Sequence, residues 1–237
     1  MSQYNPEGFP EGDWDERGDL SWNEFDWRQF LLRRGKEVER FGDIYRVHCH
    51  EPEHLDHVAQ QMGWQAEDWS VADFEGGEED DLDNAASGAS GDDAPQSLDG
   101  DPYTLHRHPV FIVTRALFAQ LDLLVDALCS VPGIHLRIRP KRLWGLAGVL
   151  ATAEREMLLA LQSLDMGDFM LAVLHFKHAH QAISETMAHL EGLADVSGAA
   201  DEFRLEARVR LFDLREVCLR VMNDCREEDR RNFRDPD

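Results

Sequence analysis

The sequence predicts an all-α protein: a small N-terminal helical module, an acidic disordered linker and a C-terminal antiparallel four-helix bundle. Three observations carry that prediction. Apolar residues recur at helical spacing through both halves, and the long periodic segments are separated by short breaks rich in Gly or Pro. One internal segment combines dense acid with Gly, Ser and Ala. With 43% hydrophobic residues in 237, the chain has enough apolar surface to bury a core.

Residues 1–20, rich in Gly, Pro and acid, read as a tail. The module spans residues 21–74. Its first helix runs from Trp22 to Phe41 on Trp22, Phe25, Phe30, Leu31 and Val38 and ends at Gly42, with a link over Asp43–Glu51. A second helix begins near Pro52, where proline suits the first turn and Glu53 suits the positive helix end. It carries Leu55, Val58, Ala59 and Met62 and stops at Gly63. A shorter segment around Ala66–Phe74 closes the module.

From Asp73 to Asp101 there are 11 acidic residues and no Lys or Arg, so residues 75–102 read as the linker. Residues 103–230 then form four helices, at 103–130, 141–165, 168–192 and 199–229, followed by a tail at 231–237. Short breaks between long amphipathic helices favour antiparallel neighbours. Ile134–Arg139 alternates like a strand but has no partner strand, so it reads as extended loop.

Leu159, Ala160, Gly167, Asp168, Phe169, Ala172, Phe176 and Ala179 stand at spacings that resemble a tetratricopeptide helical hairpin. The resemblance covers one hairpin of about 25 residues with no second copy, whereas a solenoid stacks at least three. It implies two helices brought close by small residues. Val58–Trp64 with Trp69 resembles a helix-turn-helix core, and Met62-Gly63-Trp64 is similar to the loop of ubiquitin-associated domains. Ala188–Gly192, around His189, is faintly similar to a histidine phosphotransfer motif, but its neighbour is Glu191 where that family carries a lysine.

Charge excludes some partners. Residues 1–102 hold 7 Lys+Arg against 27 Asp+Glu, and residues 103–237 hold 17 against 20. Phosphate backbones and anionic membranes are bound by clustered Lys and Arg, so the acidic half argues against both. The segment that would be a recognition helix, Ala66–Asp73, has no positive charge. No nucleic acid and no membrane are expected as partners. A protein partner is, one of basic surface for the acidic half. The apolar run Pro109–Cys129 contains Arg115, Asp122 and Asp126, which suit a buried helix better than lipid. The beginning of the chain lacks the basic and apolar regions of a signal peptide, and Cys49, Cys129, Cys218 and Cys225 form no C-x-x-C pair. These features lead to an expected cytoplasmic location.

Three clusters bear on chemistry. His48–His57 holds four histidines, a cysteine and acids, and His50, His54 and His57 are the candidate ligands for a transition metal. Its spacing matches no closed zinc motif, and an exposed polar helix is the plainer reading. His175, His178, His180 and His189 lie on one helix with Glu185, and the helix before offers only Glu154 and Glu156. No Glu-x-x-His pair accompanies them, so they read as a polar face with one or two half-buried rings. His135, Arg137, Arg139, Lys141 and Arg142 form the densest positive cluster. Arg137, Arg139, Lys141 and Arg142 are candidate partner contacts, as are Trp64 and Trp69, since Arg and Trp dominate interface energetics. The same cations suit Glu78–Asp81 of the chain's own linker, which would make the linker autoinhibitory.

Phosphate-loop, Gly-x-Gly-x-x-Gly, Gly-x-Ser-x-Gly and His-Glu-x-x-His motifs are missing from the sequence. The expected function is a non-catalytic interaction or adaptor protein with no catalytic residues and no cofactor. A metal-binding protein using His48–His57 is the rival, and a helical-bundle enzyme with a site at residues 175–189 is the third reading.

Overall fold

The computed structural model describes residues 23–65, 67–71, 105–196 and 198–234. The expected tail at 1–20, the whole of the linker segment 75–102 and residues 235–237 lie outside them. The protein is all-α: seven α-helices and two short 3₁₀ turns, with no strand among the described residues. The helices are α1 (Glu24–His48), α2 (His54–Met62), α3 (Pro109–Cys129), α4 (Ile134–Arg137), α5 (Pro140–Asp165), α6 (Phe169–Glu191) and α7 (Ala199–Arg234).

Two compact units divide the chain after Lys36. In the first, Asn23 and Asp26 cap the start of α1 reciprocally. Asn23 Oδ1 accepts from the Asp26 amide at 3.2 Å, and Asp26 Oδ2 accepts from the Asn23 amide at 3.0 Å. Trp27 meets Phe30 edge-on, and the Arg34 guanidinium lies 5.3 Å from the Phe30 ring centroid.

The second unit begins at Glu37 and contains the rest of the chain. Helix α1 does not stop at Gly42 as the sequence suggested, and the expected link 43–51 is helical as far as His48. Gly42 serves a close approach. Gln120 of α3 donates to its carbonyl at 2.8 Å, and a Cβ there would come within 3.3 Å of Gln120 Nε2. Phe41 and Tyr45, one turn apart, are both fully buried and hold this part of α1 on the core. Gly63 does end α2, with φ of 86°. Its amide donates to Gln60 O and that of Trp64 to Ala59 O, the paired bonds of a Schellman cap. Of the expected third segment, the described residues contain a 3₁₀ turn, Glu67–Trp69.

Phe41, Tyr45, Leu55, Val58 and Val71 belong to the same hydrophobic core as the helices that follow. From Glu37 on, the residues read as a small module therefore share one core with residues 105–234. The four long C-terminal helices form close to their expected positions. Helix α5 packs on α6, α6 on α7, and α3 on both α5 and α7. The piece expected as extended loop is instead the one-turn α4, pinned by buried Ile134 and Ile138, four residues apart.

The α5–α6 contact is the most extensive of these. Gly167, at φ 73°, turns the chain, and Asp168 Oδ1 accepts from the Leu171 amide at 2.9 Å to start α6. Gly145 against His189, and Glu156 against His175, set an antiparallel register. In that register Ala153 falls opposite Ala179, and Ala160 opposite Ala172. All four are fully buried, so the helices approach on small side chains as the hairpin resemblance implied. No helix among the described residues is long and apolar enough to cross a membrane. Arg115 in α3 pairs with Glu154 of α5.

His108 begins α3. Its Nδ1 accepts from the Val110 amide at 3.2 Å, and its Nε2 lies 3.2 Å from Ser70 O. Burial drives its pKa down to about 4. The folded state therefore keeps the ring neutral while the unfolded chain protonates near 6.5, so this contribution is present above that pH and is lost as pH falls toward 4. It is worth on the order of 3 kcal/mol. In urea unfolding from pH 7 to pH 4, His108→Asn, which keeps a cap acceptor, should show a flatter loss of stability than the wild type. A second test concerns the helix seam: Ala172→Leu should cost about 1–3 kcal/mol by overpacking, read as a lower urea midpoint.

Candidate functional site

Three polar regions carry the chemistry of the second unit. The first lies where the end of α1, the α1–α2 turn and the middle of α7 meet. Asp213 of α7 is 5% exposed. It accepts from the Tyr45 hydroxyl and, at 2.8 Å, pairs with His54 Nε2, while His54 Nδ1 lies 3.0 Å from Glu51 O. Burial pushes the Asp213 carboxyl up, and the two hydrogen bonds partly offset this. Burial and the Asp213 charge raise the Tyr45 hydroxyl. One turn earlier on α7, Arg210 is 4% exposed. It bonds Glu206 and Gln120 at 2.8 Å each, and Glu206 in turn takes His50 Nε2 at 2.9 Å. Cys49 is buried beside this group, and burial lifts its thiol. Glu53, between these residues and α2, has φ of 56°, a left-handed conformation costly for a residue with a Cβ.

His48, Glu51 and His57 form a separate group at the same junction. The two rings stack at 4.4 Å and 22°. Glu51 Oε2 lies 3.0 Å from His48 Nδ1 and 4.0 Å from His57 Nδ1, and Gln61 Nε2 reaches Nε2 of both rings. The candidate ligands His50, His54 and His57 are thus not brought together. His50 turns to Glu206, His54 to Asp213 and His57 to His48 and Glu51.

The second region spans α5 and α6. Glu156, 9% exposed, faces His175 and His178. Its Oε2 is 2.9 Å from His175 Nδ1 and 3.6 Å from His178 Nδ1, and its Oε1 takes Arg155 Nη2 at 3.1 Å. The hydrogen bond from His175 is the main cause that holds the Glu156 carboxyl below its ordinary range. The other α6 histidines go elsewhere. His180 Nε2 accepts from Arg215 at 3.1 Å, with its pKa lowered by burial and then by that charge, while His189 packs on Gly145. Inside this face Phe176, Ala179, Ala182, Ile183 and Thr186 are buried.

The third region is the α4–α5 corner. Because Ile134 and Ile138 point into the core, Leu136 is turned out and is 83% exposed. Trp144, in the first turns of α5, is 80% exposed. Arg137, Arg139 and Lys141 are exposed alongside them and form no ion pair among the described residues. Arg142 is committed within the fold, donating to Gly192 O at 3.0 Å at the end of α6. Trp64 and Trp69 meet each other edge-on, and Trp64 stacks on Phe41. Both are half-buried against the core.

Comparison with protein-family models, with curated proteins and with solved structures yields no match. The tetratricopeptide likeness thus stays confined to one hairpin, whose helices of 26 and 23 residues pack on the long α7 and on α3 instead of on further copies.

Sequence reading missed Glu206, Arg210 and Asp213, which sit in an ordinary-looking acidic and basic stretch of α7. Asp213 is 168 residues from Tyr45, and no local spacing connects them. The one available signal was polar residues falling on the α7 stripe that carries Ala207, Leu211 and Leu214. Two thiols of α7 lie in the core: Cys218 and Cys225 are raised to about 12 by burial, which makes them poor nucleophiles.

The junction has a measurable energetic signature. Tyr45→Phe, which leaves Asp213 paired with His54, should cost about 1 kcal/mol in chemical unfolding. Asp213→Ala strands two buried donors and should cost about 3 kcal/mol.

Proposed function

We propose that the protein is a non-catalytic interaction or adaptor protein whose contact surface is the α4–α5 corner. The observation that carries this reading is the outward placement of Leu136 and Trp144 among Arg137, Arg139 and Lys141. Large apolar side chains gathered at one exposed place, with cations around them, are the ordinary make-up of an interface. The corner is also held in shape, since Ile134, Ile138 and Arg142 anchor it from below. A preshaped surface loses less entropy on binding.

The partner for this corner is a protein segment with acidic residues and an apolar anchor. Arg137 and Arg139 can grip a carboxylate through two parallel bonds while the indole of Trp144 covers the anchor. The excess acid of residues 1–102 suits a second, basic surface. Within this reading the C-terminal helices form an antiparallel four-helix bundle that serves as scaffold, and the protein works in the cytoplasm. The enzyme reading is weakened by the filled α6 face, where Phe176, Ala182 and Ile183 occupy the space a substrate would need.

One observation favours the metal-binding reading. His48, Glu51 and His57 each offer a donor atom, and the three lie within 4.8 Å of one another. Against it, the stacked rings direct their lone pairs side by side rather than toward one point, and both are already bonded to Gln61.

The test compares the wild-type chain with Trp144→Ser/Arg139→Glu in capture of partners from source-cell extract. The wild type should retain a discrete partner and the double variant should lose it, with recovery falling as salt rises above about 0.15 M. Equal recovery by both proteins would move the contact away from this corner.

A further inference from the structure

We propose that Glu156, His175 and His178 bind a divalent first-row transition-metal ion. This site is independent of the interaction surface, and it uses the histidine helix that the sequence marked as a plain polar face.

The donor set suits such an ion. Two imidazoles and one carboxylate, with no thiolate, are the ligands that zinc, cobalt, nickel and ferrous iron share. The Nδ1 atoms of His175 and His178 and one Glu156 oxygen lie within 4.8 Å of one another. A tetrahedral centre with bonds of about 2.0–2.1 Å spaces its ligand atoms about 3.3 Å apart. The contacts to Glu156 Oε2, 2.9 Å and 3.6 Å, bracket that value. Bringing the two imidazole nitrogens and Oε2 to that spacing, from separations of no more than 4.8 Å, would admit the ion.

Ring orientation separates this group from the others. His175 and His178 cross at 86° with centroids 6.3 Å apart, so their Nδ1 lone pairs converge on the carboxylate instead of running parallel. The stacked pair His48 and His57 cannot converge without first breaking its stack. In the remaining group, Cys49 with His50 and Glu206, the carboxylate already carries the Arg210 charge, and burial opposes the thiolate a metal would need.

The surroundings do what a supporting shell does. Arg155 engages Oε1 alone, which leaves Oε2 to the imidazoles and fixes the carboxylate plane. Glu156 and His175 sit on α5 and α6 beside the seam where Ala153 and Ala179 are fully buried. His178 is half exposed while His175 is 22% exposed, so the site opens to solvent on one side. Three protein ligands and an open side leave room for water in the remaining coordination positions.

The experiment uses the full chain without a histidine tag, stripped by chelator, and titrated with Co²⁺ while the visible d–d bands are recorded. Zn²⁺ is then added to displace it. The wild type should take up one equivalent of Co²⁺ with roughly micromolar affinity or tighter. His178→Gln, at a half-exposed position that packing does not depend on, and Glu156→Gln should each weaken binding by about ten-fold or more. His48→Gln/His57→Gln should leave it unchanged. Circular dichroism of each variant confirms that it is folded. The proposal is overturned if no Co²⁺ or Zn²⁺ binds at about 0.1 mM, if His178→Gln binds as the wild type does, or if the His48/His57 double variant abolishes the spectrum.

Discussion

Ala153 and Ala160 of α5, set against Ala179 and Ala172 of α6, govern the architecture of the second unit. A helix can come close to its neighbour only where side chains are small, and these four positions let the two axes approach over about two turns of the seam. That approach buries Met157, Leu161, Leu164, Val173, Phe176 and Ile183, and it sets the register in which Glu156 faces His175 and His178. With the pair fixed, α7 has a continuous apolar surface to pack on, and its own stripe of Ala207, Leu211, Leu214 and Cys218 is buried in turn.

A second constraint is electrostatic. Asp213 and Arg210 of α7 are each exposed by 5% or less, and charge at such positions is tolerated only with partners in place. Those partners come from α1, α3 and the start of α2: Tyr45, Gln120 and His54. The turn between α1 and α2 is consequently drawn onto α7, and Glu53 takes up a left-handed backbone to complete it. Most of the histidines at this junction are thereby engaged in holding the helices together, which is why a residue pattern rich in metal-ligand types does not translate into one converging site.

Where the core has no use for a side chain, the surface reveals it. The same Ile134 and Ile138 that anchor α4 force Leu136 outward, and Trp144 follows on the exposed face of α5 beside cations that form no ion pair among the described residues. The acidic composition of residues 1–102 and this basic, apolar corner are opposite in character. The adaptor reading we propose rests on that division, whereas a catalyst would concentrate its polar groups around a cavity.

The sequence by itself determined the all-α class, the four long C-terminal helices and the breaks between them. Helical periodicity and the caps at Asp168 and Gly63 are local properties, set by residues within a turn or two. It also carried the seam, because small residues at fixed spacing signal close approach wherever they pack. Only the tertiary structure decided that α1 continues through Gly42, since the reason is Gln120, 78 residues away. The same holds for the half-burial of Trp64 and Trp69, the separation of His50, His54 and His57, and the convergence of Glu156 with His175 and His178. Each depends on which face of a helix meets another element, and that choice is made by burying the largest apolar area together, a condition no single segment contains.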